Sequence, residues 1–236
     1  NAAQLDAVTG DRAAVLVSAD LHSVWCNTAA MRELGVQGDG FFREKASFDI
    51  QTQLSHVDPH VLDGWVGSCG GAAARLGIVG IRDMEFDTDV ETWLRREADG
   101  RCPLRVEVSV YPERLDEAIA QGLATGQSPI TEKPGPSRVA MGPLKVIVDG
   151  SMSTRTAWCM DSYPSGGGPE GTGIDSVTPE DLVELMRRAK AANLQCAAHA
   201  IGDRAVREVL EAFETTGISG SVEHAQVLTD SDVPRF

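Results

Sequence analysis

The segment LQCAAHAIGDRAVREVLEAFE, followed by SVEHAQ, constrains this chain more than any other part of it. An apolar run over 194–198 ends at His199. Gly202-Asp203 breaks the run, and apolar residues then recur at helical spacing: Ala205, Val206, Val209, Leu210 and Phe213. Gly217 stops that helix, and a second short strand ends at His224. The pattern is strand–helix–strand, with a histidine closing each strand. Strands of such a unit lie parallel and point the same way. Their carboxyl ends share the rim where α/β folds place their chemistry. Two neutral imidazoles on one rim suit a divalent transition metal. The spacing also fits two unrelated strand-end histidines, one of them capping a turn.

The same rhythm extends along the chain. Strands are expected over 13–19, 78–84, 104–111, 144–148, 195–199 and 221–224. Helices are expected over 27–34, 62–76, 90–98 and 115–123. Thr178-Pro179-Glu180-Asp181 opens a further helix: an N-cap threonine, a proline at the first helical position, then acids in the first turn. Residues 37–42, 126–142 and 161–173 read as glycine- or proline-rich loops. Strands alternating with helices at this spacing argue for a parallel sheet, and a closed (β/α) barrel is its commonest enzyme form. Five or six strands are countable where a (β/α)8 barrel has eight. The expectation is an α/β chain forming an incomplete TIM-like barrel, about strands 2–6, with residues 1–236 as one partial catalytic domain and the N- and C-terminal parts of a longer protein missing.

Composition narrows the partners. A formal net charge of -14 disfavours nucleic acid and anionic membranes. No stretch has transmembrane length, and nothing resembles a signal peptide. The five cysteines (Cys26, Cys69, Cys102, Cys159 and Cys196) are scattered and form no C-x-x-C. That usage fits reduced thiols in the cytoplasm. The chain shows no G-x-S-x-G elbow, no phosphate-binding G-x-x-x-x-G-K-[ST] loop and no G-x-G-x-x-G after a strand. The pair His56 and His60 is interrupted by Pro59, lacks a glutamate beside the first histidine, and reads as surface.

HAIGDRAVREVLEAFE and EHAQVLTDSDVPRF resemble the amidohydrolase superfamily, in particular its family 3, the YtcJ-like metal-dependent hydrolases. Other matches fall in the family's order. VLVSADLHSVWCNTAAMRELGV resembles its D-G-H-S-x-W-x-N segment, GIVGIRDM its second barrel strand, and LKVIVDGSMSTRTAW its K-x-x-x-D-G-S strand. The resemblance spans most of the chain. It implies metal-assisted hydrolysis of C–N bonds in amides or cyclic amides. It also implies a centre of one or two divalent ions, zinc first among them, held by a carboxylated lysine and two histidines. Those positions match Lys145, His199 and His224, which are the implied catalytic and metal residues.

Lys145 is unusual on its own terms. It stands inside the apolar strand LKVIV, where a cationic lysine is costly to bury. A desolvated lysine has a depressed pKa and is nucleophilic. The alternative is an edge-strand lysine whose head reaches water. Asp149 follows at the rim, placed to orient a ligand, bind the next loop or cap a helix; Asp203 is expected as the N-cap of the helix after His199. The resemblance further makes His22 and Trp25 substrate-pocket residues, although Leu21 stands where the family has glycine. Arg155 is expected to pair with an acidic substrate group or with Asp161.

The family's H-x-H pair and last-strand aspartate have no counterpart here, so the segment alone is expected to be inactive. Two other readings stand beside the hydrolase: a degenerate barrel segment serving as a binding unit, and a metal-free lyase using Lys145 as a Schiff-base amine. The expected partner is a small-molecule substrate; the sequence is compatible with a homodimer and does not set the oligomeric state.

Overall fold

The computed structural model describes residues 1–236 except 56, 87, 129–135, 167, 169 and 170. His56 therefore lies outside the described residues, whereas His60 is exposed, as expected. The chain opens with helix α1 (Ala2–Thr9) and an antiparallel sheet of β1 (Val15–Val17), β2 (Ser23–Cys26) and β3 (Phe41–Arg43). Helix α2 (Thr28–Leu34) lies between β2 and β3, and α3 (Lys45–Leu54) follows. Only the first of these strands is visible as one in the sequence, and the expected loop over 37–42 overlaps β3. Strands of three or four residues are too short for alternation to show. Val24, Cys26, Ala30 and Ile50 form the small core of this unit.

The rest is strand-then-helix. Helix α4 (Pro59–Arg75) leads to β4 (Gly80–Asp83), α5 (Val90–Ala98), β5 (Arg105–Val110), α6 (Leu115–Gln121), β6 (Val139–Ile147), α7 (Pro179–Ala191), β7 (Cys196–Ala200), α8 (Asp203–Thr216) and β8 (Gly220–His224). The five strands pair in chain order, β4-β5-β6-β7-β8, and every pairing is parallel. This steady winding is that of a (β/α) barrel, and the sheet is a five-strand curled arc of one. One face packs on the helices. Val106, Val108, Met141, Leu144, Val146 and Ala198 meet Trp93, Leu115, Leu182, Met186, Val206 and Val209.

Strand β6 starts at Val139, inside the expected loop, because Gly142-Pro143 hides it. Its register against β5 shifts between Val108 and Val110, a bulge. A bulge tolerates the proline's missing N–H. It also needs glycine: a Cβ at Gly142 would stand 2.8 Å from the Val108 carbonyl carbon. The inserted residue switches parity. Val139 and Met141 before it, and Leu144 and Val146 after it, all face the helices. Lys145 is therefore turned to the opposite, concave face.

Candidate metal centre

Three consecutive strands deliver the candidate ligands. Lys145 pairs with Ala197 and Ile147 with His199 in the β6–β7 register. Alternation then puts Lys145, Ala197 and His199 on one face. The register of β8 does not do the same for His224, which pairs with Ala200 and should point to the helices. Its backbone leaves the extended region instead, with φ 75 at His224 and φ 42 at Ala225. The imidazole thereby meets His199 edge to face, ring centroids 4.7 Å apart at 75°. Non-glycine residues in this region are uncommon and costly, and they cluster at functional sites.

His199 is buried, and its Nε2 lies 3.0 Å from the Gly150 carbonyl oxygen. A carbonyl only accepts, so Nε2 is the nitrogen that donates, and in the neutral imidazole this leaves the lone pair on Nδ1. Such a backbone partner orients metal-binding histidines. His224 lies at the exposed strand end. Partial cover of its ring, then His199 and Lys145, push its pKa below the ordinary histidine value. These effects favour the neutral ring, the form a metal needs.

Lys145 is 5% exposed, and its Nζ has no hydrogen-bond partner. Burial pushes its pKa down to about 8, against an opposing pull from Glu223. An orphaned, easily neutralised amine beside two imidazoles fits a site whose third ligand is added to the lysine. Among the described residues no three His, Cys, Asp or Glu side chains form a metal-binding group by themselves, so the set depends on Lys145.

That pKa has a sign. Between pH 8 and the ordinary lysine value of 10.5, the unfolded chain holds a proton that the folded chain has released. Stability therefore rises with pH across this window, and the full penalty of the buried ammonium applies below it. Lys145→Met is expected to stabilise the metal-free chain by about 3 kcal/mol at pH 7. The gain should shrink toward zero by pH 11. Urea unfolding of both proteins at the two pH values checks this, and an equal gain at both would show that the charge is not its source.

Asp149 is fully buried beyond the end of β6. Its carboxylate accepts from Trp158 N (2.9 Å), Ile201 N (3.0 Å) and Gly202 N (2.8 Å), and lies 3.4 Å from His199 Nε2. Of the roles open to it in the sequence, binding the next loop is seen, and the carboxylate also stands against the candidate ligand His199. Asp203 is not the N-cap of α8. Gly202, which has no side chain to cap with, holds that position, and its own N–H donates to Asp149. Asp203 instead accepts from Met160 N at 2.8 Å.

The N-terminal unit touches the same rim. His22 Nδ1 lies 3.0 Å from Glu44 Oε2, and this bond raises the His22 pKa. Glu44 Oε1 accepts from Thr154 and Thr156 in the loop after β6. Asp20 accepts from Ser153 of that loop. Nothing in the sequence marks Glu44 for this contact. Trp25 is directed elsewhere, its indole N–H donating to the Asn1 carbonyl at 3.0 Å. Arg155 is exposed with φ 59, and no ion pair joins it to Asp161. The structure thus brings Lys145, His199 and His224 together, ties His22 in through Glu44, and leaves Trp25 and Arg155 without a described contact to the centre.

A barrel arc with two imidazoles and a buried lysine at successive strand ends defines a candidate metal site of a (β/α)-barrel protein. The profile of the Amidohydrolase family matches residues 1–236, and the chain belongs to that family. YtcJ of Bacillus subtilis strain 168, an amidohydrolase by name, is 25% identical over 259 residues, covering 98% of this chain and 47% of its own length. Protein LONG AFTER FAR-RED 3 of Arabidopsis thaliana is 30% identical over 103 residues, 41% of this chain and 17% of its own. Crystal structures of uncharacterized metal-dependent hydrolases from Pyrococcus horikoshii OT3 and Pyrococcus furiosus superpose with TM-scores of 0.76 and 0.73, at 23% and 25% identity. Each covers 99% of this chain, which spans 48% and 50% of theirs. The chain accordingly spans half or less of the length of these relatives.

Proposed function

We propose that this chain carries the lysine–histidine part of the metal centre of a hydrolase acting on C–N bonds, amides or cyclic amides. The observation that carries the reading is the buried, unpartnered Lys145 amine beside the His199–His224 pair, at the ends of three successive parallel strands. Lys145, once carboxylated, His199 through Nδ1, and His224 would hold zinc. A zinc ion, when bound, supplies Lewis-acid polarisation of the scissile carbonyl and activates water. The protein's own residues do the positioning. The Gly150 carbonyl holds the His199 ring, and Asp149 locks the loops after β6 and β7 into one rim. Arg155, exposed on the loop after β6, offers a cation to an acidic substrate group. A small-molecule substrate fits the net charge of -14. The five free thiols support a cytoplasmic setting, and among the described residues no helix is long and apolar enough to cross a membrane.

The reading separates the segment from a complete barrel. The 236-residue chain is expected to take up zinc weakly, with release of protons, and to leave simple amides and hydantoin-like rings uncleaved. Supplied with the flanking barrel strands of a relative such as YtcJ, it is expected to cleave them, and chelation should remove that activity. Turnover by the segment alone at ordinary enzyme rates, about 1–1000 per second, would overturn the proposal. So would a completed barrel whose activity survives chelation.

A further inference from the structure

Glu44 sits on the turn between β3 and α3 with φ 48 and ψ -128, a conformation that side chains rarely adopt. No cap bond explains it, since Glu44 precedes α3 without a side-chain bond to the helix. Its carboxylate is directed across to the barrel rim. One oxygen meets His22 at 3.0 Å, and the other accepts from Thr154 at 2.5 Å and Thr156 at 2.6 Å. Both threonines are buried. Thr156 Oγ1 also accepts from Ser151 N at 2.9 Å, and its backbone carbonyl accepts from Gly150 N at 3.2 Å. Gly150 is packed so tightly beneath this side chain that a Cβ there would fall 2.1 Å from Thr156 Oγ1. The Gly150 carbonyl, in turn, faces His199 Nε2 at 3.0 Å. A continuous path of bonds and contacts therefore runs from the N-terminal unit to the His199 ring.

We propose that Glu44 is a positioning residue for His199: by holding Thr154 and Thr156 it fixes the loop over 150–156, so that the Gly150 carbonyl selects the imidazole tautomer with Nδ1 free. The positioning stands on geometry alone. Its consequence for metal affinity rests on the function proposed above.

Long-range proton–nitrogen correlation spectra of the metal-free chain read the tautomer directly. In the parent protein His199 should be the Nε2–H form. Glu44→Gly removes the carboxylate while easing the backbone strain, and Thr156→Val breaks the path from the other side. Each is expected to raise the share of the Nδ1–H form relative to Nε2–H about fivefold, the worth of one ordinary hydrogen bond. Glu44→Gln and Thr156→Ser keep an acceptor and a hydroxyl, and should restore the parent ratio. A purely structural role would lower the melting temperature and leave the tautomer ratio alone; that result in Glu44→Gly, or in Thr156→Val if the first variant is too unstable, overturns the proposal. Cobalt(II) separates the two readings. Glu44→Gly should weaken cobalt binding about tenfold, whereas a parent chain that binds no cobalt sinks the metal reading and leaves the tautomer comparison to decide the role of Glu44.

Discussion

In a His199→Ala variant, zinc binding is expected to fall by more than about 100-fold, beyond what loss of a partner that merely orients a ligand costs. The reason lies in how the three candidate ligands are held. His224 is exposed and rests on a strained strand end. Lys145 has no hydrogen bond to hold its amine. His199 alone is both buried and oriented, by the Gly150 carbonyl 3.0 Å from Nε2, so its Nδ1 lone pair is aimed before any ion arrives. Removing it leaves two ligands that each lose freedom on binding. Calorimetric zinc titration of parent and variant is the measurement. His60→Ala, which changes an exposed helix position far along the chain, is the control and should bind as the parent does. Equal affinity in His199→Ala and the parent would remove His199 from the centre.

Asp149→Ala should be the most destabilising change at the rim. The carboxylate is fully buried and accepts three backbone N–H groups, from Trp158, Ile201 and Gly202. Alanine accepts none of them. A buried donor left unpaired costs about 1–3 kcal/mol, so three of them cost on the order of 3–6 kcal/mol even after local relaxation. That is comparable to the whole stability of many domains. Asp149→Asn retains one accepting oxygen but turns an amide NH2 toward a donor, and should fall between the parent and Asp149→Ala. Urea midpoints with unchanged slopes would give the ordering. A loss below about 1 kcal/mol for Asp149→Ala would mean that these loops are held by other contacts.

Much of the barrel arc can be read along the chain because its signals are local. Helix α7 begins at the Thr178 cap with Pro179 behind it, and α8 ends at Gly217 with φ 60, both where capping chemistry puts them. The apolar runs of β6 and β7 mark buried parallel strands. Three things are not legible. Strands β2 and β3 are too short to show a period. The first part of β6 is masked by Gly142-Pro143, whose role as a bulge exists only against β5. Glu44 carries no local sign of its contact, because Thr154 and Thr156 lie more than a hundred residues away.

The candidate site divides the same way. Residue type and strand position by themselves put Lys145 in an apolar strand and close the two strands after it with histidines; that the lysine is buried rather than reaching water is decided by the tertiary structure. The arrangement of those groups is tertiary. The bulge at Gly142 sets which face Lys145 takes, and the Gly150 carbonyl sets which nitrogen of His199 is free. The turn at His224 overrides a register that points the ring the other way. Each of these depends on a backbone group supplied by a distant strand or loop, and local propensity carries no record of such a partner.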